Sequence, residues 1–177
     1  MKSMLTEGEA VYQKEMREIE YRGEMYTYEH HNVKDLETGI EYTTTEIDTG
    51  NLERIYEQYR AKHDIPSPAE LTALRERYGL SAAKMSQILG LGANQYRLYE
   101  DGEMPSEAIG KMLRTIQTPA VFMRYVEGCK REMTEQEYNK LCSRIEKTII
   151  SEIKRKPNFQ WLHEFFSFGG MMSKVAM

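Results

Sequence analysis

Residues 81–102 read SAAKMSQILGLGANQYRLYEDG, and this stretch decides the fold. Ser81 carries the short polar side chain that caps a helix start, and Met85, Ile88 and Leu89 follow at the spacing of one helical face. Gly90, Leu91 and Gly92 break that pattern and predict a turn. A second short helix then runs to Gly102 with Tyr96 and Tyr99 facing inward. Two short helices joined by a glycine-containing turn form a helix-turn-helix, which lays its second helix in the major groove of DNA while the first crosses the backbone. The inward set leaves Asn94, Gln95, Arg97 and Leu98 at the start of the outward-facing helix. Asn and Gln bond adenine bidentately and Arg bonds guanine, so Asn94, Gln95 and Arg97 are the candidate base readers, with Leu98 beside them on the DNA-facing side. Ser81, Lys84 and Arg75 are the candidate phosphate contacts.

Helical signals continue on both sides of this pair. Upstream, Asp64-Ile65-Pro66-Ser67-Pro68 is a linker, because proline disfavours helix at the residue before it. Ser67 followed by Pro68 starts a helix lined by Leu71, Leu74 and Tyr78 and stopped by Gly79. Downstream, Ser106 caps a helix whose inward residues are Ile109, Met112, Leu113 and Ile116. Thr118-Pro119 opens another, with Val121, Phe122, Tyr125 and Val126 on one side. Thr134 and Glu137 fit a capping box for a longer helix, whose stripe is Tyr138, Leu141, Cys142, Ile145, Ile149 and Ile153. That stripe reads as core or as a dimerisation face. The tail beyond Pro157 is aromatic and then Met-rich; Phe159, Trp161, Phe165, Phe166 and Phe168 either pack on the body or anchor a partner.

The front of the chain has a different period. Residues 9–47 are dense in Tyr, Thr and Ile, and Arg22-Gly23 is a hairpin turn between two β-prone runs. A second turn is expected at residues 36–39, followed by a third strand from Ile40 to Ile47. After Asp48-Thr49-Gly50 a helix is expected, with Leu52, Ile55, Tyr56 and Tyr59 inward and an end near His63.

The chemistry-bearing residues do not assemble an enzyme. The 177 residues contain no HExxH, no GxSxG and no phosphate-binding glycine loop. His30 and His31 are adjacent in a strand and point to opposite faces, so they cannot clamp one ion together. His63 and His163 have no acidic or cysteine partner at ligand spacing, and Asp48, Glu53 and Glu57 read as a solvated helix face. Cys129 and Cys142 are expected to be buried apolar residues. Neither a metal nor a cofactor is expected. No apolar run spans a bilayer and the first residues have no signal-peptide core, so the expected compartment is the cytoplasm, with no membrane partner.

The net charge of −4 is unevenly spread. Residues 1–70 carry 8 Lys/Arg against 16 Asp/Glu, residues 71–117 carry 6 against 5, and residues 118–177 carry 10 against 7. This balance argues against a general nucleic-acid coat protein but leaves room for a local DNA-binding face. The acidic front suits a region that meets a basic protein.

The stretch LTALRERYGLSAAKMSQILGLGANQYRLYEDGEMPSEAIGKMLRTI resembles the Xre-type helix-turn-helix of the MqsA-like antitoxins of bacterial type II toxin–antitoxin systems. The shared marks are LRER, GLS before the next helix, LGLGANQYRLYEDGE, and PS before the last helix. Residues 18–63 resemble that family's N-terminal region more weakly, through YRGEMYTYE and the turn, strand and helix that follow. The last 60 residues have no counterpart. The resemblance implies an antitoxin that binds operator DNA, autoregulates its operon and neutralises a cognate toxin. The family's N-terminal zinc site of two CxxC pairs is missing: the second pair falls near Asp35 and Thr38, and the first where there is no cysteine. The family's base-reading Asn falls on Asn94 and its base-reading Arg on Leu98, with Arg97 one position away, a rotation of about 100° on a helix. Ala82 replaces a frequent phosphate-bonding Gln.

The sequence therefore predicts an α+β fold, mostly α. A small N-terminal antiparallel sheet with a helix spans residues 1–65, and an Xre/lambda-repressor-like helix-turn-helix domain spans 66–117. A helical extension covers 118–156 and the tail 157–177. The expected function is a DNA-binding transcriptional regulator, the antitoxin of a toxin–antitoxin pair, dimeric on a palindromic operator. The alternative is a protein-interaction module that keeps the helix-turn-helix as a scaffold without DNA.

Overall fold

The computed structural model describes residues 1–155; the aromatic and Met-rich tail, with His163, lies outside the described residues. The fold is α+β and mostly helical, as expected. In chain order come β1 (Ala10–Tyr21), β2 (Glu24–Asp35), β3 (Glu41–Tyr42), α1 (Thr45–Lys62), α2 (Pro68–Arg77), α3 (Ala82–Ile88), α4 (Gln95–Glu100), α5 (Glu107–Thr115), α6 (Pro119–Gly128) and α7 (Glu135–Arg155). The chain divides into two compact units. One comprises Met1–Ala73 and Arg97–Arg114, the other Leu74–Tyr96 and the chain from Thr115.

In the first unit the sheet order is β1-β2-β3, all antiparallel. Tyr21 pairs with Glu24, which leaves Arg22 and Gly23 as the turn, at φ 53° and 80°. Two positive φ values make the type I′ turn whose twist suits a hairpin. Arg22 is an unusual occupant. Its guanidinium donates to Pro105 O (2.7 Å) and Met104 O (3.0 Å) and lies over the Tyr21 and Tyr59 rings. Tyr26, Tyr59, Ile65 and Met104 form a buried cluster there, with Ile19, Tyr21 and Tyr56 packed against it.

The third strand is shorter than the sequence predicts. Only Glu41–Tyr42 pair with β2, and α1 begins at Thr45, within the run expected to be strand up to Ile47. The cause is capping. The Thr44 side chain accepts the Ile47 N–H at 3.3 Å, and Glu46 and Asp48 occupy the first turn, where the helix dipole favours carboxylates. The buried face of α1 is also turned from expectation: Leu52 is 47% exposed, while Asn51, Ile55 and Tyr59 are buried. Asn51 is the reason. Its carboxamide accepts from His31 N (2.8 Å) and donates to His31 O (2.9 Å), and Gln58 Nε2 donates to Thr27 O (3.1 Å). These side chains give β2 the partners that β3, ending at Tyr42, does not reach.

At the far end of the hairpin, Asp35 is fully buried. Its carboxylate accepts from the Ser3 and Thr6 hydroxyls and from the backbone N–H of Glu37 (2.9 Å) and Thr38 (2.8 Å). The Ser3 hydroxyl, then that of Thr6, holds the carboxyl below the usual carboxylate range. One acidic side chain thus builds the turn at residues 36–39 and fastens the N-terminal segment to it.

In the same unit Ser67 and Glu70 form a capping box at the start of α2, with Ser67 N–H to Glu70 Oε2 at 2.8 Å and Glu70 N–H to Ser67 Oγ at 3.3 Å. Arg114 joins Asp64 (2.9 Å) and Glu70 (3.0 Å). Gly110 of α5 lies against Ile65, and a Cβ there would stand 2.6 Å from Ile65 Cγ1.

A pH dependence follows from Glu24. Hydrogen bonds from the Tyr26 hydroxyl, then from His63 Nε2 (3.0 Å) and Lys62 Nζ (3.1 Å), hold its carboxyl down to about 2. A depressed carboxyl stabilises the fold above its unfolded pKa of about 4.3 and loses that contribution as pH falls toward about 2. Urea titrations between those values should show wild type losing its stability advantage over Glu24→Gln; an unchanged gap would remove Glu24 from the acid response.

The second unit is built on α3, α6 and α7. Tyr78 and Phe122 are fully buried and stacked, ring centroids 4.8 Å apart. Met85, Ile88, Val126, Leu141 and Ile145 are buried in the same unit. Arg144 of α7 donates to Tyr78 O (2.6 Å), a carbonyl just past the end of α2, as suits a cation at a helix C-terminus. Thr134 and Glu137 form the expected capping box (3.0 and 3.3 Å). The stripe of α7 is partly used: Leu141 and Ile145 are buried, Tyr138, Cys142, Ile149 and Ile153 half-buried. Cys129 and Cys142 are half-buried free thiols rather than core residues, and the Cys129 Sγ–H points to Ile88 O at 3.4 Å.

Candidate nucleic-acid interface

The geometry of α3 and α4 starts from their ends. The Ser81 Oγ accepts the Lys84 N–H at 3.1 Å and caps α3, with the side chain exposed. That bond uses one lone pair; the hydroxyl proton is left to donate, as a phosphate contact requires. Lys84 is half-buried. Gly90 closes α3 at φ 66°, where the Leu91 N–H reaches Ser86 O (2.8 Å) and the Gly90 N–H reaches Gln87 O (3.2 Å). This paired closure needs a left-handed residue, the reason for glycine there. Residues 89–94 connect the helices, and the Gln95 N–H bonds Gly92 O at 2.9 Å.

The inward residues are where the spacing predicts them. Met85, Ile88, Leu89, Tyr96 and Tyr99 are all buried. Ser86 is buried too, and its Oγ accepts the Tyr96 N–H at 3.0 Å, fixing the first turn of α4 to α3. Sequence reasoning missed this anchor. Its only signal is a small polar residue beside the apolar positions of a helix.

With Tyr96 and Tyr99 turned inward, the other side of α4 faces out. Asn94, just before the helix, is exposed, and Gln95 is half-buried. The Arg97 side chain is 73% exposed, with Asp101 Oδ2 3.6 Å from its Nε. Leu98 is 41% exposed. Arg75 is differently placed. Its guanidinium donates to Leu80 O (3.1 Å) and its side chain is only 22% exposed, so it braces the turn after α2.

His30 and His31 are both buried. Arg54 donates to His31 Nδ1 (3.0 Å), so that nitrogen accepts and Nε2 carries the proton given to Glu29 (2.6 Å). Among the described residues no group of three or more His, Cys, Asp or Glu side chains is placed to hold a metal ion, and no helix is long and apolar enough to cross a membrane. No protein-family model matches the chain, and no curated protein matches it.

Proposed function

We propose that this chain is a sequence-specific DNA-binding regulator, the antitoxin of a bacterial toxin–antitoxin pair, with α3 and α4 as an Xre-type helix-turn-helix. The observation that carries the reading is the outer side of α4. A helix held by buried Tyr96 and Tyr99 and by the Ser86 bond turns Asn94, Arg97 and Leu98 to solvent. Asn94 and Arg97 supply base-edge hydrogen bonds, and the Ser81 hydroxyl and Lys84 meet phosphates. The acidic front of the chain is the surface for a basic toxin.

The test is a titration of the full chain against its own upstream DNA at two salt concentrations. Tight binding that weakens steeply with salt is expected, because phosphate contacts release counterions. Binding no tighter than to unrelated DNA would refute the reading and leave the second one, a protein-interaction module on the same scaffold. The apolar Leu98 side chain, exposed on the face that would read bases, is what favours that second reading. A neighbouring small gene, toxic alone and rescued by this one, would establish the antitoxin role.

A further inference from the structure

Among the described residues, the outer edge of β1 is unpaired over nearly its whole length. Met1 bonds the Ala10 backbone in both directions (2.8 and 3.0 Å). Past Ala10, no described backbone group meets that edge, so the open stretch is Val11–Tyr21. An open edge of this length is a template for another strand.

Three features of this edge point to the same occupant. The first is its length: the midpoint of residues 11–21 is Met16, so two copies overlap fully only when a two-fold axis passes there. The second is hydrogen-bond phase. Ala10 points its N–H and C=O outward to Met1, and alternation along a strand then puts the outward groups on residues 12, 14, 16, 18 and 20. An axis at Met16 places these groups opposite one another, Met16 to Met16 and Lys14 to Glu18.

The third is charge. With the axis at Met16, Lys14 faces Glu18 and Glu15 faces Arg17, each pair occurring twice by symmetry. Moving the axis to residue 14, 15, 17 or 18 sets Lys14, Glu15, Arg17 or Glu18 against its own copy. Like charges directly opposite are destabilising. Met16, 66% exposed, is the one uncharged residue among those five positions. Lys14 already reaches Glu29 (3.1 Å), and Arg17 reaches Glu15, within one copy. Such exposed pairs hold little energy and can re-pair across the axis.

We propose that two copies of this chain associate through β1, antiparallel and centred on Met16, so that their two three-stranded sheets become one continuous sheet. This assembly is independent of DNA and of the α7 stripe, which the sequence offered as a dimerisation face.

The test uses charge swaps read by sedimentation equilibrium on the full chain, with circular dichroism to verify folding. Wild type should be a dimer. Glu15→Arg sets two guanidinium groups opposite each other, and Arg17→Glu sets two carboxylates opposite each other, so each variant alone should dimerise about tenfold more weakly or worse. An equimolar mixture of the two variants restores both opposite-charge pairs in the heterodimer and should regain wild-type affinity. The double variant should regain it alone. A monomeric wild type would overturn the proposal, as would single variants that dimerise like wild type, or a mixture no tighter than its components.

Discussion

Phe122→Ala is expected to destabilise the chain by about 3–5 kcal/mol. Phe122 has no exposed surface and stacks on Tyr78, itself fully buried. Truncation removes the transfer energy of the ring, opens a cavity between α6 and the end of α2, and deletes an aromatic pair worth about 0.5–1.5 kcal/mol beyond its buried area. Because Arg144 holds the carbonyl of Tyr78, the neighbouring backbone cannot easily collapse into the space. Urea denaturation with a shared slope reads the loss directly. Phe122→Leu keeps most of the volume and should cost far less. Equal losses for the two variants would mean that the stack, not the volume, carries the effect.

The second large effect belongs to α4. If the chain binds operator DNA as proposed, replacing Asn94 and Arg97 together by alanine should reduce that binding to the non-specific level, because the two proposed base contacts go while the scaffold stays. Both side chains are exposed, so the melting temperature should barely move. Leu98→Arg works in the opposite direction. On the proposed reading, a guanidinium at that position would supply a bidentate guanine contact worth about 1–3 kcal/mol of discrimination, roughly five- to 150-fold in affinity. Leu98 is itself 41% exposed, so a longer side chain there can extend into solvent. If binding is unchanged in all three substitutions, α4 does not read DNA.

Much of this fold was legible because local chemistry and tertiary structure agree. The capping boxes at Ser67 and Thr134, the Ser81 cap, the Arg22-Gly23 turn and the inward tyrosines of α4 are all where short-range signals put them. The errors at the third strand and α1 share one cause. Residues 43–47 are β-prone by composition, yet Thr44 caps a helix there, and from that helix Asn51 and Gln58 bond β2 in place of a longer third strand. A side chain standing in for a strand leaves no periodic trace. Ser86 and Gly110 were missed for a related reason: their roles are set by Tyr96 and Ile65, residues remote in sequence. In the candidate interface, exposure of Asn94, Arg97 and Leu98 followed from the spacing of the tyrosines, whereas the inward bracing of Arg75 did not.

Arg22 carries a consequence for how this hairpin can vary. By local preference it is a poor choice: a left-handed turn position favours Asn, Asp or Gly. Asn there would make the isolated hairpin form more readily and yet remove the two bonds to Met104 and Pro105. The tip of the hairpin is therefore a place where faster local ordering and a firmer finished unit are in opposition. Variation at this position should track variation at Met104 and Pro105, more than 80 positions away along the chain.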